Sequence, residues 1–365
     1  MKKGALILIA ALMTLVLSGC GKDRSYRRPV VIEEEVEYPG YPGTTWKHVR
    51  PSVHGFDDGR FKELENLLNN GKYPTTSMVV AVGGDIIFQY GTVNKISYIA
   101  SCRKSLLAML YGKYVENGTI DLDKTVGDLN MDDIGGLLPI EKKAKIQDLI
   151  TARSGVYHIA SNTGDDRDYA PARGSQEPGT YFLYNNWDFN AAGYAFEYLT
   201  GKDIYEAFRD DIASKIQCEN YFLYNQKKSG DLSLSIYPAY HFYIDVFDMA
   251  RIGLLMLREG KWKDEQVISR EWVKRISSVD TPREEMNPTS RRKKEFSYGY
   301  MWWIFDNPSN PPELKGAYSA RGSKGQYITV IPALDMVVAH HTATGETAWS
   351  QYMDILSRIF DAKVE

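Results

Sequence analysis

The sequence predicts an α+β fold: one antiparallel sheet drawn from both ends of the chain and flanked by helices, with a mostly helical lobe inserted over about residues 100–290. Three observations lead there. Two β-rich runs at 78–82 and 86–90 flank Gly83-Gly84-Asp85 and read as a hairpin. Further β-rich runs return near the C-terminus at 298–305, 326–331 and 336–342. Between the two groups the chain is mostly helix and loop and carries no internal repeat. With 365 residues, 43% hydrophobic and 25% charged, it holds ample material for a large core.

The elements follow in order. Lys2 and Lys3 precede an apolar run from 5 to 17 and then small residues, a secretory signal too short to span a bilayer comfortably. Leu17-Ser18-Gly19-Cys20 resembles the bacterial lipobox, which implies that 1–19 are a signal peptide and that Cys20 is lipidated. Residues 20–45 mix charge with proline and glycine and read as a flexible tether, able to reach roughly 80 Å from a bilayer. The expected location is the cell envelope, anchored by lipid on the extracytoplasmic side of a bacterial membrane. The globular domain then spans 46–365. Phe61, Leu64, Leu67 and Leu68 give 56–70 a helical period. Ser101 opens an amphipathic pattern through Leu106, Leu107, Leu110, Tyr111, Tyr114 and Val115 that stops at Asn117-Gly118. Residues 191–200 and 248–259 are the clearest later helices, and 349–360 closes the chain as another.

Charge and cysteine usage exclude several functions. The 44 basic against 47 acidic residues give a net charge of −3, without the basic field of a nucleic-acid binder. Three cysteines are too few for a disulfide framework, and no Cys/His cluster has zinc spacing. No metal or organic cofactor is expected. The expected partners are a small-molecule substrate and, through the lipid, a membrane; the sequence is silent on oligomeric state.

What remains is nucleophilic chemistry. The sequence contains no G-x-S-x-G elbow but does contain Ser101-Cys102-Arg103-Lys104. On a helix this spacing puts serine and lysine on one face, and the helix start favours a developing oxyanion. A desolvated lysine can take the serine proton. Ser290-Arg291-Arg292-Lys293 has the same spacing but lies in a charged stretch with no apolar helix behind it, and is set aside. Tyr184-Asn185-Asn186 is the only Y-x-N among the 25 tyrosines. Tyr184 near Lys104 could relay the proton, and Asn186 could donate to a substrate carbonyl or to Lys104.

These segments, followed by Gly322-Ser323-Lys324-Gly325-Gln326, come in the order found in serine β-lactamase/transpeptidase-like hydrolases, and the chain resembles that family over about residues 75–345. The family includes class C β-lactamases, D-alanyl-D-alanine peptidases, esterases and 6-aminohexanoate-dimer hydrolases. Arg103-Lys104-Ser105-Leu106-Leu107, 152–158 and 184–190 look most like the last branch. The resemblance implies that Ser101 is acylated, that Lys104 and Tyr184 activate it, and that the backbone N–H groups of Ser101 and Ser323 form the oxyanion hole. It assigns Asn186, Gly322, His158 and His241 to the substrate cleft. The chain departs from the family at its third motif: Ala320-Arg321-Gly322 stands where Lys-Thr-Gly or His-Thr-Gly is usual. Alanine cannot bind a β-lactam carboxylate, and on a strand Arg321 faces away from Ala320. The reading is therefore an esterase or amidase on a small acyl or peptide-like substrate. Its rivals are a D,D-peptidase or β-lactamase, and a catalytically inactive binding lipoprotein. Cys102 is expected to be a buried hydrophobe. His340 and His341 should face opposite sides of a strand, Trp302 and Trp303 should serve as core and sheet edge, and 291–294 should form a solvated basic loop.

Overall fold

The computed structural model describes residues 38–364 except 163, 165 and 344. The expected signal peptide, Cys20 and the expected tether up to residue 37 lie outside the described residues. The longer helices are α1 (Asp58–Asn69), α2 (Cys102–Glu116), α3 (Asn186–Thr200), α4 (Val246–Leu257), α5 (Arg270–Ile276) and α6 (Trp349–Asp361). The main sheet comprises β1 (Ser77–Val82), β2 (Asp85–Gly91), β3 (Phe296–Tyr298), β4 (Trp303–Phe305), β5 (Tyr318–Gly322), β6 (Gln326–Ile331) and β7 (Met336–His341). Its order is β2-β1-β7-β6-β5-β4-β3, with every neighbouring pair antiparallel. The first and last strands of the chain meet at the β1–β7 junction, as the hydrophobic patterning predicts. Gly83 and Gly84 both take positive φ (62° and 89°), the requirement of a two-residue hairpin turn whose twist matches its strands.

The register assigns each face. Ile328 and Val337 point to one side, where α4 packs so closely that a Cβ on Gly253 would lie 2.4 Å from Val337 Cγ1. Tyr327, Thr329 and His340 point to the other side, against Tyr352 of α6. α2 differs from the amphipathic helix its pattern suggests. Every residue from Cys102 to Gly112 is buried, so the helix runs through the core between the sheet and the helical lobe. The expected single strand at 298–305 is instead a pair, β3 and β4, folded back around Gly299–Trp302.

The end of the expected tether is also ordered. Arg251 of α4 is fully buried and donates to the carbonyls of Gly43 and Thr44, while Tyr41 packs edge-on against Trp262 at 5.5 Å. A buried guanidinium needs acceptors, and these backbone carbonyls supply them. The packed unit therefore starts near Tyr38 rather than Trp46.

Candidate active site

The short strand Ser97–Tyr98 leads into the site. The Ile99 N–H donates to Phe242 O (3.1 Å), and Ala100 then takes the left-handed conformation, φ 49°. For a residue with a side chain this costs on the order of 1–2 kcal/mol. It turns the chain abruptly into α2 with Ser101 as the N-cap. The Ser101 hydroxyl caps no backbone N–H of the helix, which leaves it outside the helix's own bonding.

One turn on, Lys104 is buried, with Nζ 4.0 Å from the ring centroid of Tyr184 and 4.3 Å from that of Phe189. Nζ donates to Tyr184 Oη at 2.8 Å. Lys104 and Tyr184 thus meet, with Ser101 one helical turn before Lys104 in the chain. Tyr184 is placed by the start of α3, where the side chain of Asn185 accepts from the Trp187 N–H and its Nδ2 donates to Val156 O. Asn186 turns its Nδ2 to Asn162 O (3.2 Å) and leaves a buried Oδ1 without a partner. Its open function is therefore to accept a hydrogen bond, where donation was expected.

β5 forms the opposite wall. A Cβ on Gly322 would lie 2.4 Å from Ile99 O and 3.1 Å from Ala100 Cβ. Only glycine lets the strand end come this close to the turn before Ser101. Ser323 follows it, exposed, ahead of Lys324 and Gly325, both at positive φ. Ala320 is completely buried and faces the α2 side with Gly322, whereas Arg321 lies on the α6 face with Ser319.

Three expectations are corrected. His158 is not a cleft residue. It is buried, with Nδ1 2.9 Å from Ile159 O and Nε2 2.8 Å from Ile134 O, so both nitrogens are committed inward. His241, on the neighbouring strand Ala239–His241, packs edge-on against Tyr98 at 5.1 Å, and burial lowers its pKa to about 4; it is a neutral supporting side chain. The basic run 291–294 is not simply solvated. Arg291 pairs with Asp166 at 2.5 Å and lays its guanidinium over the rings of Tyr184 (5.6 Å) and Trp303 (5.2 Å). No period or motif distinguishes that arginine from its neighbours in the sequence.

The readings of Cys102 and of His340 and His341 agree with the structure. Cys102 is buried, with Sγ 3.3 Å from Gln326 O, and desolvation holds its thiol well above the ordinary range. His340 bonds Thr75 and Gly325 O, while His341 lies on the other face. Trp302 is fully buried as expected, but Trp303 is not at the sheet edge: β4 is paired on both sides, and Trp303, itself buried, walls a cavity of about 330 Å³ next to Tyr184. Among the described residues no group of three or more metal-ligating side chains comes together. Among the same residues no helix is long and apolar enough to cross a membrane.

A serine at the head of a buried helix, with a lysine–tyrosine pair one turn along and a glycine-ended strand opposite, is an arrangement suited to acyl transfer. Residues 61–357 match the beta-lactamase family, and the chain belongs to it; family and fold are those of serine hydrolases. Among solved structures the chain is similar to a protein from Bacillus anthracis assigned as a 6-aminohexanoate-dimer hydrolase. The two are 20% identical, with 87% of this chain and 86% of that chain covered at a TM-score of 0.62. It is also similar to a penicillin-binding protein from Bacillus halodurans (17% identical, 80% and 99% covered, TM-score 0.60) and to a class C beta-lactamase (14%, 83% and 95%, TM-score 0.59). An uncharacterized protein of Alkalihalophilus pseudofirmus is 20% identical over 263 residues, 66% of this chain and 71% of that protein.

Proposed function

We propose that the protein is a serine hydrolase that cleaves a small ester or amide, peptide-like in the second case, through an acyl-enzyme. The observation that carries this reading is the 2.8 Å contact between Lys104 Nζ and Tyr184 Oη, one helical turn from Ser101. Ser101 Oγ attacks the substrate carbonyl carbon, and its proton passes to the Lys104–Tyr184 pair. Burial disfavours a charged amine, and the phenol beside it provides a second stop for the proton. The tetrahedral oxyanion is held by the N–H groups of Ser101 and Ser323, the first aided by the α2 dipole. Collapse breaks the bond to the leaving alkoxide or amine, which takes the proton back from the pair. Water then attacks the acyl carbon and gives up a proton to the same pair, the bond to Ser101 Oγ breaks, and the pair returns that proton to Oγ as the acid product leaves. Asn186, whose Oδ1 is left without a partner, accepts from a substrate N–H.

Supporting the ester or amide over a β-lactam is the buried Ala320, which offers no charge on the α2 face of β5. Supporting a site outside the cytoplasm is the lipobox-like Leu17-Ser18-Gly19-Cys20, with Cys20 as the anchor. A panel of chromogenic esters, anilides and nitrocefin tests the reading. Turnover of at least one ester or anilide is expected, falling by about 10³-fold or more in Ser101→Ala, with nitrocefin turned over slowly. Ester hydrolysis that survives Ser101→Ala undiminished, in protein shown to be folded, overturns the mechanism.

A further inference from the structure

Tyr184 is held from two sides by an ion pair that joins distant parts of the chain. The Asp166 N–H donates to Tyr184 O (3.4 Å), and the Asp166 carboxylate accepts from Arg291 Nε at 2.5 Å. Arg291 brings its guanidinium back over the same tyrosine, 5.6 Å from the Tyr184 ring centroid and 5.2 Å from that of Trp303. A short 3-10 helix, Thr289–Lys293, presents this arginine and is pinned on either side. Arg292 donates from Nε to Met286 O and from Nη2 to Asn287 Oδ1, and Asn307 Nδ2 donates to Lys294 O. Asp166, Tyr184 and Trp303 are all buried, so charges at this spot are poorly screened by solvent.

A cation on the face of a phenol favours its ionised form and disfavours an ammonium beside it; a carboxylate does the reverse. In the proposed reaction the Lys104–Tyr184 pair must have given up a proton before it can take the one on Ser101 Oγ. Arg291 assists that state, and Asp166 opposes it. The other charged or titratable groups around Tyr184 are Lys104 of α2, Tyr298 of β3 at 6.0 Å between ring centroids, and Arg321 of β5, which interacts through space with Tyr184 and with Glu295. Lys294 follows on the Arg291 segment and is exposed. These groups stay in place when Arg291 or Asp166 is replaced, so they drop out of a comparison between variants.

We propose that Arg291 is a positioning residue for the reaction: it keeps the Lys104–Tyr184 pair ready to accept the serine proton by offsetting, at the phenol, the carboxylate of Asp166. The inference rests on the hydrolase reading and adds to it a residue that acts only through Tyr184.

The rate at which a fluorophosphonate labels Ser101, followed as a function of pH on the full chain, tests it. The rate rises with pH as the pair loses its proton. Arg291→Gln removes the cation and bares Asp166, so the midpoint of that rise is expected to move up by about one pH unit. Asp166→Asn leaves the cation unopposed, and the midpoint is expected to move down. The double variant should return close to the wild-type midpoint, and Arg291→Lys should keep most of the wild-type profile, with circular dichroism confirming that each protein is folded. A contact that only packs would lower the rate at every pH and leave the midpoint where it is. Midpoints that stay put, or that move the same way in both single variants, overturn the inference. If Arg291→Gln does not fold, the direction of the shift in Asp166→Asn decides. Labelling of Ser101 whose pH dependence is blind to both substitutions removes the inference and leaves the hydrolase. A folded wild-type protein whose Ser101 is labelled at no pH removes the hydrolase reading and the inference with it.

Discussion

Ser101, Lys104 and Tyr184 could be paired from the sequence because their spacing is local or their motif unique; Arg291 could not, because its meaning depends on Asp166, 125 positions away. His158 was misplaced for a related reason. Its partner Ile134 O is reached only once two loops have packed. Two predictions belong to this scale. Tyr184→Phe removes the Oη that Lys104 donates to, and kcat is expected to fall by about 10²-fold or more with KM little changed; steady-state kinetics check this. The second concerns pH. Burial lowers the pKa values of His340 and His341 to about 4, against an ordinary 6.5. A proton therefore binds the unfolded chain more readily than the folded one over that interval. Their contribution to stability is complete above pH 6.5 and is lost as pH falls toward 4. Thermal midpoints measured across that window should decline, and the decline should be shallower in His340→Gln.

At the scale of elements, helix periods were legible where one face dominates, as in α1 and α6. They misled where both faces are buried. α2 looks amphipathic in sequence, yet its second face packs against the helical lobe rather than water, with Trp272 so close that a Cβ on Gly112 would lie 2.5 Å from its ring. Apolar runs split by Gly299 likewise concealed a reversal between β3 and β4. The approach of β5 to α2 is the contact on which the proposed chemistry depends. Gly322→Ala would force the strand end off Ile99 O and carry Ser323 N–H with it. A loss of about 1–3 kcal/mol in stability is expected, together with a fall in kcat larger than the fraction of protein unfolded can account for. Chemical denaturation and active-site titration on the same sample distinguish the two effects.

For the whole molecule, the sheet closes by joining its first strands to its last at β1–β7, and hydrophobic patterning alone predicted that arrangement. Composition was a poorer guide to where the packed unit begins, because proline, glycine and charge in 38–45 disguise a segment whose backbone carbonyls are needed by Arg251. A chain starting at Trp46 should melt several degrees lower than one starting at Tyr38, since Arg251 then loses acceptors inside the core; differential scanning calorimetry decides. The central claim is that Ser101 is a nucleophile activated by Lys104, and labelling with a fluorophosphonate followed by peptide mapping tests it most directly. A covalent adduct on Ser101 that disappears in folded Lys104→Ala is the predicted result. An adduct at another serine, labelling indifferent to Lys104, or none at all on folded protein would contradict it.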